Sequence, residues 1–233
     1  MAPDVLGDAL HAYFIGNTRD KLMLHTSYGD LEEMPIDVFF REPGDFPELE
    51  HIALALCDGR TLDVGAGAGS HALYLQERGF DVTALELSPG ACSVMCQRGI
   101  RNVLQHDFFD YRGERYDTLL FLMNGVGLAG TVAGLSTLLQ HCRALLRKGG
   151  QLLFDSSDIN YLYADGSVER PHAYQGEIRY QYEYKGVTGE PFNWLFIDQE
   201  MLARIARTEG WVVQVVFEDE NDQYLARMEP MGQ

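Results

Sequence analysis

The segment TLDVGAGAGSHALYL, residues 61–75, joins a β-forming run to three alternate glycines and then to a helical pattern. The glycines are Gly65, Gly67 and Gly69. Glycine adopts positive φ and lets a ligand approach bare backbone, while the start of a helix carries unpaired N–H groups and the positive end of the helix dipole. The segment therefore predicts a strand, a glycine turn and a helix that begins at an N-cap Ser70, with a ligand above the turn.

The spacing of these glycines indicates which ligand the turn holds. A dinucleotide-binding turn reads G-x-G-x-x-G/A, but here the third glycine comes one residue earlier. The pattern from Asp63, D-x-G-x-G-x-G, resembles the first motif of class I S-adenosylmethionine (SAM)-dependent methyltransferases. In that family the loop wraps the amino-acid end of SAM, and the acid helps to hold its ammonium group. The resemblance thus implies a cofactor site that includes Asp63, Gly65, Ala66, Gly67 and Gly69.

A second strand is predicted over Asp81–Leu87, DVTALEL, and it ends with an acid. A carboxylate at this strand end is placed to accept two hydrogen bonds from a ribose diol. SAM and NAD both carry that diol, so Glu86 does not distinguish the two cofactors. We assign Leu87 to the same site, and we expect the next helix to begin with Ser88 as N-cap and Pro89 at its first position.

Two further strand ends carry polar residues. Asn102–Asp107 is predicted as the third strand, and in the methyltransferase family an acid here accepts the adenine N6 hydrogen bond while the next residue contacts the ring. The resemblance implies these roles for Asp107 and Phe108. The apolar run Tyr116–Asn124 predicts a buried central strand. Many amine- and base-methylating members have an Asp/Asn-Pro-Pro-aromatic motif at its end, whereas this chain has MNGVG; Asn124 is either a pocket residue or a turn former.

The alternation of strands and helices predicts an α/β fold with a doubly wound, mostly parallel sheet of seven strands. The last two strands, separated by the polar turn Asp219–Asp222, predict an antiparallel hairpin at the end of the sheet. Such an ending resembles class I methyltransferases, whereas a dinucleotide-binding dehydrogenase domain normally ends on a parallel strand. We expect one SAM-binding domain over residues 1–233, with an N-terminal helical cap at 1–45 and an inserted β-hairpin at 156–197.

The cap and the insertion are where we expect the methyl acceptor to be recognised. The cap holds Tyr28 and Arg41, and the guanidinium fork of Arg41 suits the carboxylate of SAM. The insertion is rich in tyrosine; Tyr182 lies on one face of an alternating strand, and Trp194 lies in the predicted partner strand. The insertion is either an ordinary amphipathic hairpin or a lid whose aromatic rings favour a methyl sulfonium or a cationic amine.

Composition limits the partners and the compartment. A net charge of −17 argues against broad contact with nucleic acid or an anionic membrane, and an RNA methyltransferase would need a basic face. The four cysteines form no CxxC pair, so we predict no metal site and expect reduced thiols in a cytoplasmic protein. The segment MAPDVLGDAL is too polar for a secretion signal, and no apolar run of roughly 18 residues predicts a membrane span.

These features predict an enzyme that moves the sulfonium methyl group of SAM to a small-molecule acceptor by in-line SN2 transfer, with S-adenosyl-L-homocysteine (SAH) as product. A general base is needed only if the acceptor is protonated at neutral pH. Candidates are His11, His25, His172 and the tyrosines of the insertion, and we assign none as catalytic. Two alternatives stay open: an NAD(P)-dependent oxidoreductase, which the early third glycine disfavours, and a SAM-binding regulatory protein without turnover. The acceptor atom and the oligomeric state do not follow from the sequence.

Overall fold

The computed structural model describes residues 2–29 and 31–232. Its helices are α1 (Val5–Phe14), α2 (Glu48–Leu56), α3 (Ser70–Glu77), α4 (Pro89–Gln97), α5 (Val132–Leu145) and α6 (Gln199–Thr208). Its strands are β1 (Leu22–Thr26), β2 (Glu32–Met34), β3 (Thr61–Val64), β4 (Val82–Glu86), β5 (Val103–Gln105), β6 (Tyr116–Phe121), β7 (Leu146–Ser157), β8 (Glu177–Tyr184), β9 (Val187–Thr188), β10 (Phe192–Leu195), β11 (Trp211–Glu218) and β12 (Gln223–Pro230).

The main sheet has seven strands in the order β11-β12-β7-β6-β3-β4-β5. Strand β4 is parallel to β5, and β6 is parallel to β7. Strand β12 is antiparallel to both of its neighbours, β7 and β11. This arrangement confirms the predicted doubly wound, mostly parallel sheet that ends in an antiparallel hairpin.

A second sheet has the order β10-β8-β1-β2, and the short strand β9 also pairs with β8. The position of β10 beside β8 confirms the predicted hairpin partner. Strand β8 pairs antiparallel with β1, in a register that runs from Leu22 opposite Tyr184 to Thr26 opposite Tyr180. The pairing with β1 does not follow from the sequence pattern, and it means that the cap contributes two strands to this sheet in addition to helix α1.

The chain forms two compact units. The first comprises residues 1–46, 63–111 and 179–192, and the second comprises residues 47–62, 112–178 and 193–233. In the first unit, α1 packs on α4 and on the turn that follows β3. Its apolar core includes Val5, Ala9, Leu10, Ala68, Ala91, Val94 and Tyr184. The predicted single domain over the whole chain stays a prediction.

Two expectations from composition concern the thiols and the membrane. The four cysteines form no disulfide in the described structure; Cys96 is exposed and the other three are buried. Burial raises the pKa of the Cys92 thiol to about 11, so that thiol is protonated at neutral pH. Within the described ranges, no helix has both the length and the apolar character that crossing a bilayer requires.

Candidate functional site

The glycine turn directly follows β3 and consists of left-handed backbone. Its φ angles are +70° at Gly65, +56° at Gly67 and +83° at Gly69, which residues with side chains rarely adopt. The amides of Gly65 and Ala66 both donate to the carbonyl of Leu85, at 2.9 and 3.2 Å, and tie the turn to β4. A Cβ placed on Gly65 would meet no described atom within 4 Å. The turn therefore has room for a ligand above its first glycine.

Helix α3 begins differently from the prediction. Its N-cap residue is Gly69, and Ser70 is already the first helical residue, so the predicted N-cap is wrong. The physical reason is that the Ser70 hydroxyl donates to the carbonyl of Phe39 at 2.9 Å and accepts from Nη1 of Arg98 at 3.2 Å. The same Nη1 donates to the carbonyl of Ala68 at 2.7 Å. Ser70 thus connects the turn to the cap segment, and Arg98 connects it to the end of α4.

The carboxylate of Glu86 lies against the glycine turn and is held by three backbone amides. Oε2 accepts from Gly67 at 3.0 Å, while Oε1 accepts from Leu87 at 2.8 Å and from Ser88 at 2.9 Å. Burial raises the pKa of this carboxyl group, and the three amides oppose that effect. The structure therefore brings together the two features that the sequence places at the ends of β3 and β4.

Asp63 lies one position before the end of β3 and is only 2% exposed. Burial raises its pKa to about 6; the charge of His71 opposes this shift, and the charge of Glu86 adds to it. Its Oδ2 is buried and has no hydrogen-bond partner among the described residues. A buried carboxylate oxygen is costly to leave unpaired. The oxygen therefore fits a ligand that brings a cationic N–H group to the turn.

The third predicted group lies at the ends of β4 and β5. Leu87 is 64% exposed although it is apolar. Asp107 is exposed and accepts the amide of Phe109 at 2.8 Å, so one of its oxygens caps a short 3-10 turn. Phe108 is 2% exposed, and its ring belongs to the core. Leu87 and Asp107 are thus open to a ligand, whereas Phe108 supports the turn from beneath.

Two aromatic residues of the first unit approach this site. A Cβ placed on Gly67 would lie 3.0 Å from Cδ1 of Phe39, so the cap segment touches the turn itself. Tyr182 of β8 is within electrostatic reach of Glu86: burial and then the Glu86 charge raise the pKa of its hydroxyl to about 12. The second sheet therefore brings Tyr182, predicted as a substrate residue, towards the carboxylate predicted to bind cofactor.

The two predicted site residues of the cap, Tyr28 and Arg41, lie in different surroundings. Tyr28 donates to Glu32 at 3.2 Å and meets the ring of Tyr180 edge-on, with 6.5 Å between centroids. Arg41 is half-buried, and its Nε donates to the carbonyl of Val38 at 3.0 Å. Tyr28 thus belongs to an aromatic pair on the second sheet, while Arg41 follows the 3-10 turn Ile36–Phe40 that carries Phe39.

Asn124 lies in the second unit, in a strained segment after β6. Its φ is +55°, and that of Met123 is +59°; left-handed backbone at non-glycine residues costs on the order of 1 kcal/mol or more each and clusters at functional sites. The amide of Asn124 donates to Oδ2 of Asp155 at 2.9 Å. Its side chain donates to the carbonyl of Leu195 at 3.1 Å and accepts from the Ser156 hydroxyl at 2.9 Å. Asn124 is therefore a fixed part of this loop.

Trp194 also lies in the second unit, on strand β10. A Cβ placed on Gly127 would lie only 2.2 Å from Nε1 of Trp194. Glycine at this position therefore makes room for the indole beside the loop that follows β6. The ring is half-buried, as an aromatic wall of a pocket would be.

Sequence reasoning missed a buried acid in the second unit. Asp155 is 1% exposed, and burial raises its pKa to about 6. Its Oδ2 accepts from Asn124 and from Gln223, the latter at 3.1 Å, while its Oδ1 has no hydrogen-bond partner within the described ranges. The signal that was available is an acid that directly follows the apolar run LLF of a central strand.

The histidine candidates for a general base are scattered. Nε2 of His25 lies 2.8 Å from Oε2 of Glu183, and His11 and His172 are exposed. These positions single out no proton acceptor, so we assign no catalytic base.

The chain is similar to known methyltransferases in sequence and in fold. Residues 62–154 match the family described as a methyltransferase domain. The chain is similar to a SAM-dependent methyltransferase from Bacteroides fragilis, whose crystal structure contains SAH. The two are 38% identical with a TM-score of 0.90, over 97% of this chain and 94% of that one.

More distant solved structures share the fold alone. The CcbJ methyltransferase from Streptomyces caelestis is 16% identical, with a TM-score of 0.64 over 83% of this chain and 95% of that chain. The sugar N-methyltransferase KedS8 from Streptoalloteichus sp ATCC 53650 is 19% identical, with a TM-score of 0.55 over 86% of this chain and 95% of that chain. The comparison with curated proteins found no match.

Proposed function

Because this chain belongs to the class I SAM-dependent methyltransferases, we propose that it transfers the methyl group of SAM to a small-molecule acceptor. The predicted family, enzyme class and cofactor are confirmed, and the comparisons do not favour an NAD(P)-dependent oxidoreductase. When bound, SAM supplies a methyl group activated on a sulfonium. The residues of this chain then have to bind SAM and the acceptor, orient the reacting atoms and exclude water from them.

With the family established, the observation that carries the proposed cofactor site is the placement of the Glu86 carboxylate against the glycine turn. We assign Glu86 to the ribose hydroxyls, because its oxygens are fixed by Gly67, Leu87 and Ser88 before any ligand arrives. A preorganised acceptor loses little conformational freedom on binding. The open space over Gly65 accommodates the chain that connects the ribose to the amino-acid end.

The amino-acid end of SAM carries an ammonium and a carboxylate, and we assign each a partner. The unpaired oxygen of Asp63 fits the ammonium, because the charge of that group would offset the cost of burying the acid. The backbone of Gly65, Ala66, Gly67 and Gly69 lies along this end of the ligand. Arg41 is the proposed partner of the carboxylate, since the planar fork of a guanidinium matches the two oxygens of a carboxylate.

For the adenine ring we propose the residues at the ends of β4 and β5. The exposed side chain of Leu87 offers an apolar face, and the carboxylate of Asp107 offers an acceptor for the exocyclic amine. Phe108, which is buried, shapes the ring site from beneath. Asn124 stays a predicted cofactor residue; the hydrogen bonds that hold it belong to the second unit.

The acceptor is proposed to be a small molecule chiefly because the net charge is −17. Such a charge disfavours a polyanionic acceptor such as RNA and suits a neutral or cationic one. Tyr28, Tyr182 and Trp194 each stay a proposed aromatic residue for recognition of the acceptor. Methyl transfer is proposed to occur in line: the acceptor's lone pair forms the bond to carbon as the carbon–sulfur bond breaks and its electron pair moves to sulfur.

Two experiments test the proposal. Isothermal titration calorimetry with SAM and SAH should show one site per chain, and no heat of binding with either would contradict it. A screen of small-molecule acceptors with SAH formation as readout then separates an enzyme from a SAM-binding regulator. Acceptor-dependent SAH formation supports transfer, whereas binding without turnover on any acceptor favours the regulator.

A further inference from the structure

We propose that Asp4 is a positioning residue for the cofactor carboxylate Glu86 and that it acts through Ser88. The inference rests on the proposed function, in which Glu86 binds the ribose of SAM. Asp4 immediately precedes α1 in the cap, whereas Glu86 ends β4. A chain of hydrogen bonds within the first unit nevertheless joins them, and no sequence motif indicates it.

The first link is the contact between Asp4 and the start of α4. Oδ2 of Asp4 accepts from the Ser88 hydroxyl at 2.9 Å and from the Gly90 amide at 2.8 Å. Its Oδ1 accepts from the Gly7 amide at 3.1 Å and thereby caps α1. The Asp4 carboxylate therefore accepts hydrogen bonds from donors at the starts of two helices. A side chain with a single acceptor oxygen would satisfy these donors less well.

The second link runs through Ser88, which is 9% exposed. Its amide donates to Oε1 of Glu86 at 2.9 Å. Its hydroxyl donates to Asp4 and accepts from the Ala91 amide at 3.0 Å, so both capacities of that hydroxyl are used. The hydroxyl of Ser88 is thus bound to Asp4 and to the Ala91 amide. These bonds fix the Ser88 amide, one of the two donors to Oε1 of Glu86, before a ribose binds.

Close packing keeps Asp4 within reach of α4. A Cβ placed on Gly90 would lie 2.7 Å from Cα of Gly7, and a Cβ on Gly7 would lie 2.2 Å from Oδ2 of Asp4. The helices therefore meet at a pair of glycines beside the carboxylate. Val5, Ala9, Leu10, Ala91 and Val94 share one buried cluster across this contact. We expect this apolar contact to hold α1 in place when the Asp4 carboxylate is removed.

The charge of Asp4 acts in the opposite direction from its hydrogen bonds. After burial, the negative charge of Asp4 contributes to the raised pKa of Glu86. Removing that charge alone would favour ionised Glu86 and hence a stronger acceptor for the ribose. A loss of cofactor affinity in an Asp4 variant therefore reports the broken hydrogen-bond chain and not the lost charge.

The test compares SAH affinity by calorimetry in the wild type and four variants: Asp4→Ala, Ser88→Ala, the double variant and a control. We expect each single variant to bind SAH about tenfold more weakly. The double variant should lose little more affinity for SAH than either single variant, because both substitutions break the same series of hydrogen bonds. The control is Asp8→Ala, which removes an exposed acid from the first turn of the same helix and should bind like the wild type.

A second measurement needs no cofactor. Hydrogen–deuterium exchange at the amides of Leu87 and Ser88 should be faster in Asp4→Ala than in the wild type and unchanged in Asp8→Ala. Unchanged SAH affinity in folded Asp4→Ala, additive losses in the double variant, or unchanged exchange would each overturn the proposal. If Asp4→Ala does not fold, Asp4→Asn replaces it, since asparagine still caps a helix. Absence of SAH binding by the wild type would contradict the proposed function instead, and exchange alone would then decide whether the link exists.

Discussion

The amide of Gly67 donates a hydrogen bond of 3.0 Å to Oε2 of Glu86 and so joins the glycine turn to the acid at the end of β4. Two more amides bind Oε1, so three backbone donors share one carboxylate. A carboxylate offers about four acceptor positions. The amides fix the two oxygens in place, and the hydroxyls of a ribose diol would share the acceptor capacity that remains. That capacity is greatest when the acid is ionised.

We predict that Glu86→Gln weakens SAH binding at least tenfold. Glutamine has one acceptor oxygen, and its NH2 group would face a backbone N–H of Gly67 or of residues 87–88. A donor facing a donor in a buried site costs about as much as a lost hydrogen bond to a charged group. Calorimetry with SAH measures the effect. Glu77→Gln, at an exposed position of α3, serves as the control, and equal affinities of the two variants would refute the ribose assignment.

Gly67→Ala should weaken SAH binding and lower stability more than Gly79→Ala does. Both glycines have positive φ, +56° and +85°, so both alanines carry backbone strain on the order of 1 kcal/mol. Only at Gly67 would the new Cβ press on Phe39, at 3.0 Å, since the position of Gly79 is open. Urea denaturation of the two variants isolates that contact, and matched losses of stability would show that Phe39 plays no part. SAH titration measures the added effect of a Cβ in the proposed cofactor turn.

The glycine turn and the start of α4 were predictable because their signals are local. Glycine at alternate positions permits left-handed backbone. Ser88-Pro89 begins α4 as predicted, with the Ser88 hydroxyl accepting the amide of Ala91. Ser70 failed as an N-cap because its hydroxyl turns to Phe39, a tertiary contact. Local patterns describe a residue's neighbours along the chain, and they do not describe neighbours in space.

The strand pairing in the second sheet could not be predicted from local sequence patterns either. The alternation in β8 identifies it as a strand, but nothing in that segment specifies its partner, and β1 lies more than 150 residues away in the chain. The short strand β1 reads as part of an irregular cap. The Asp4–Ser88 hydrogen bond is also non-local, since it joins residues that are 84 positions apart. The residues that support the site are therefore harder to predict than those that form it.

The affinity for SAH should fall as the pH drops below about 6, and Asp63→Asn should remove most of that dependence. Burial raises the pKa of Asp63 to about 6, so its proton must leave before the acid pairs with an ammonium. The pKa of Glu86 is also raised, so SAH affinity should keep a weaker dependence on pH in Asp63→Asn. Calorimetry between pH 5 and 8 measures both proteins. At pH 7.5 Asp63→Asn should bind roughly tenfold more weakly, and identical pH profiles would contradict the ammonium assignment.

The buried acid of the second unit should make stability fall as the pH rises from about 4 to about 6. The folded-state pKa of Asp155 is raised to about 6 by burial, against 3.8 for an ordinary aspartate. Within this window the folded protein holds a proton that the unfolded chain releases, so the free energy of unfolding decreases with rising pH. For one group the change is at most roughly 3 kcal/mol.

Asp155→Asn should abolish this part of the pH dependence, because the amide is always neutral and its oxygen still accepts the Asn124 N–H. The variant should therefore gain stability over the wild type as the pH rises from 4 to 7. Urea denaturation at pH 4, 5, 6 and 7 measures the difference, and Glu220→Gln, at an exposed position, is the control. Parallel curves for Asp155→Asn and the wild type would mean that Asp155 titrates like an exposed acid.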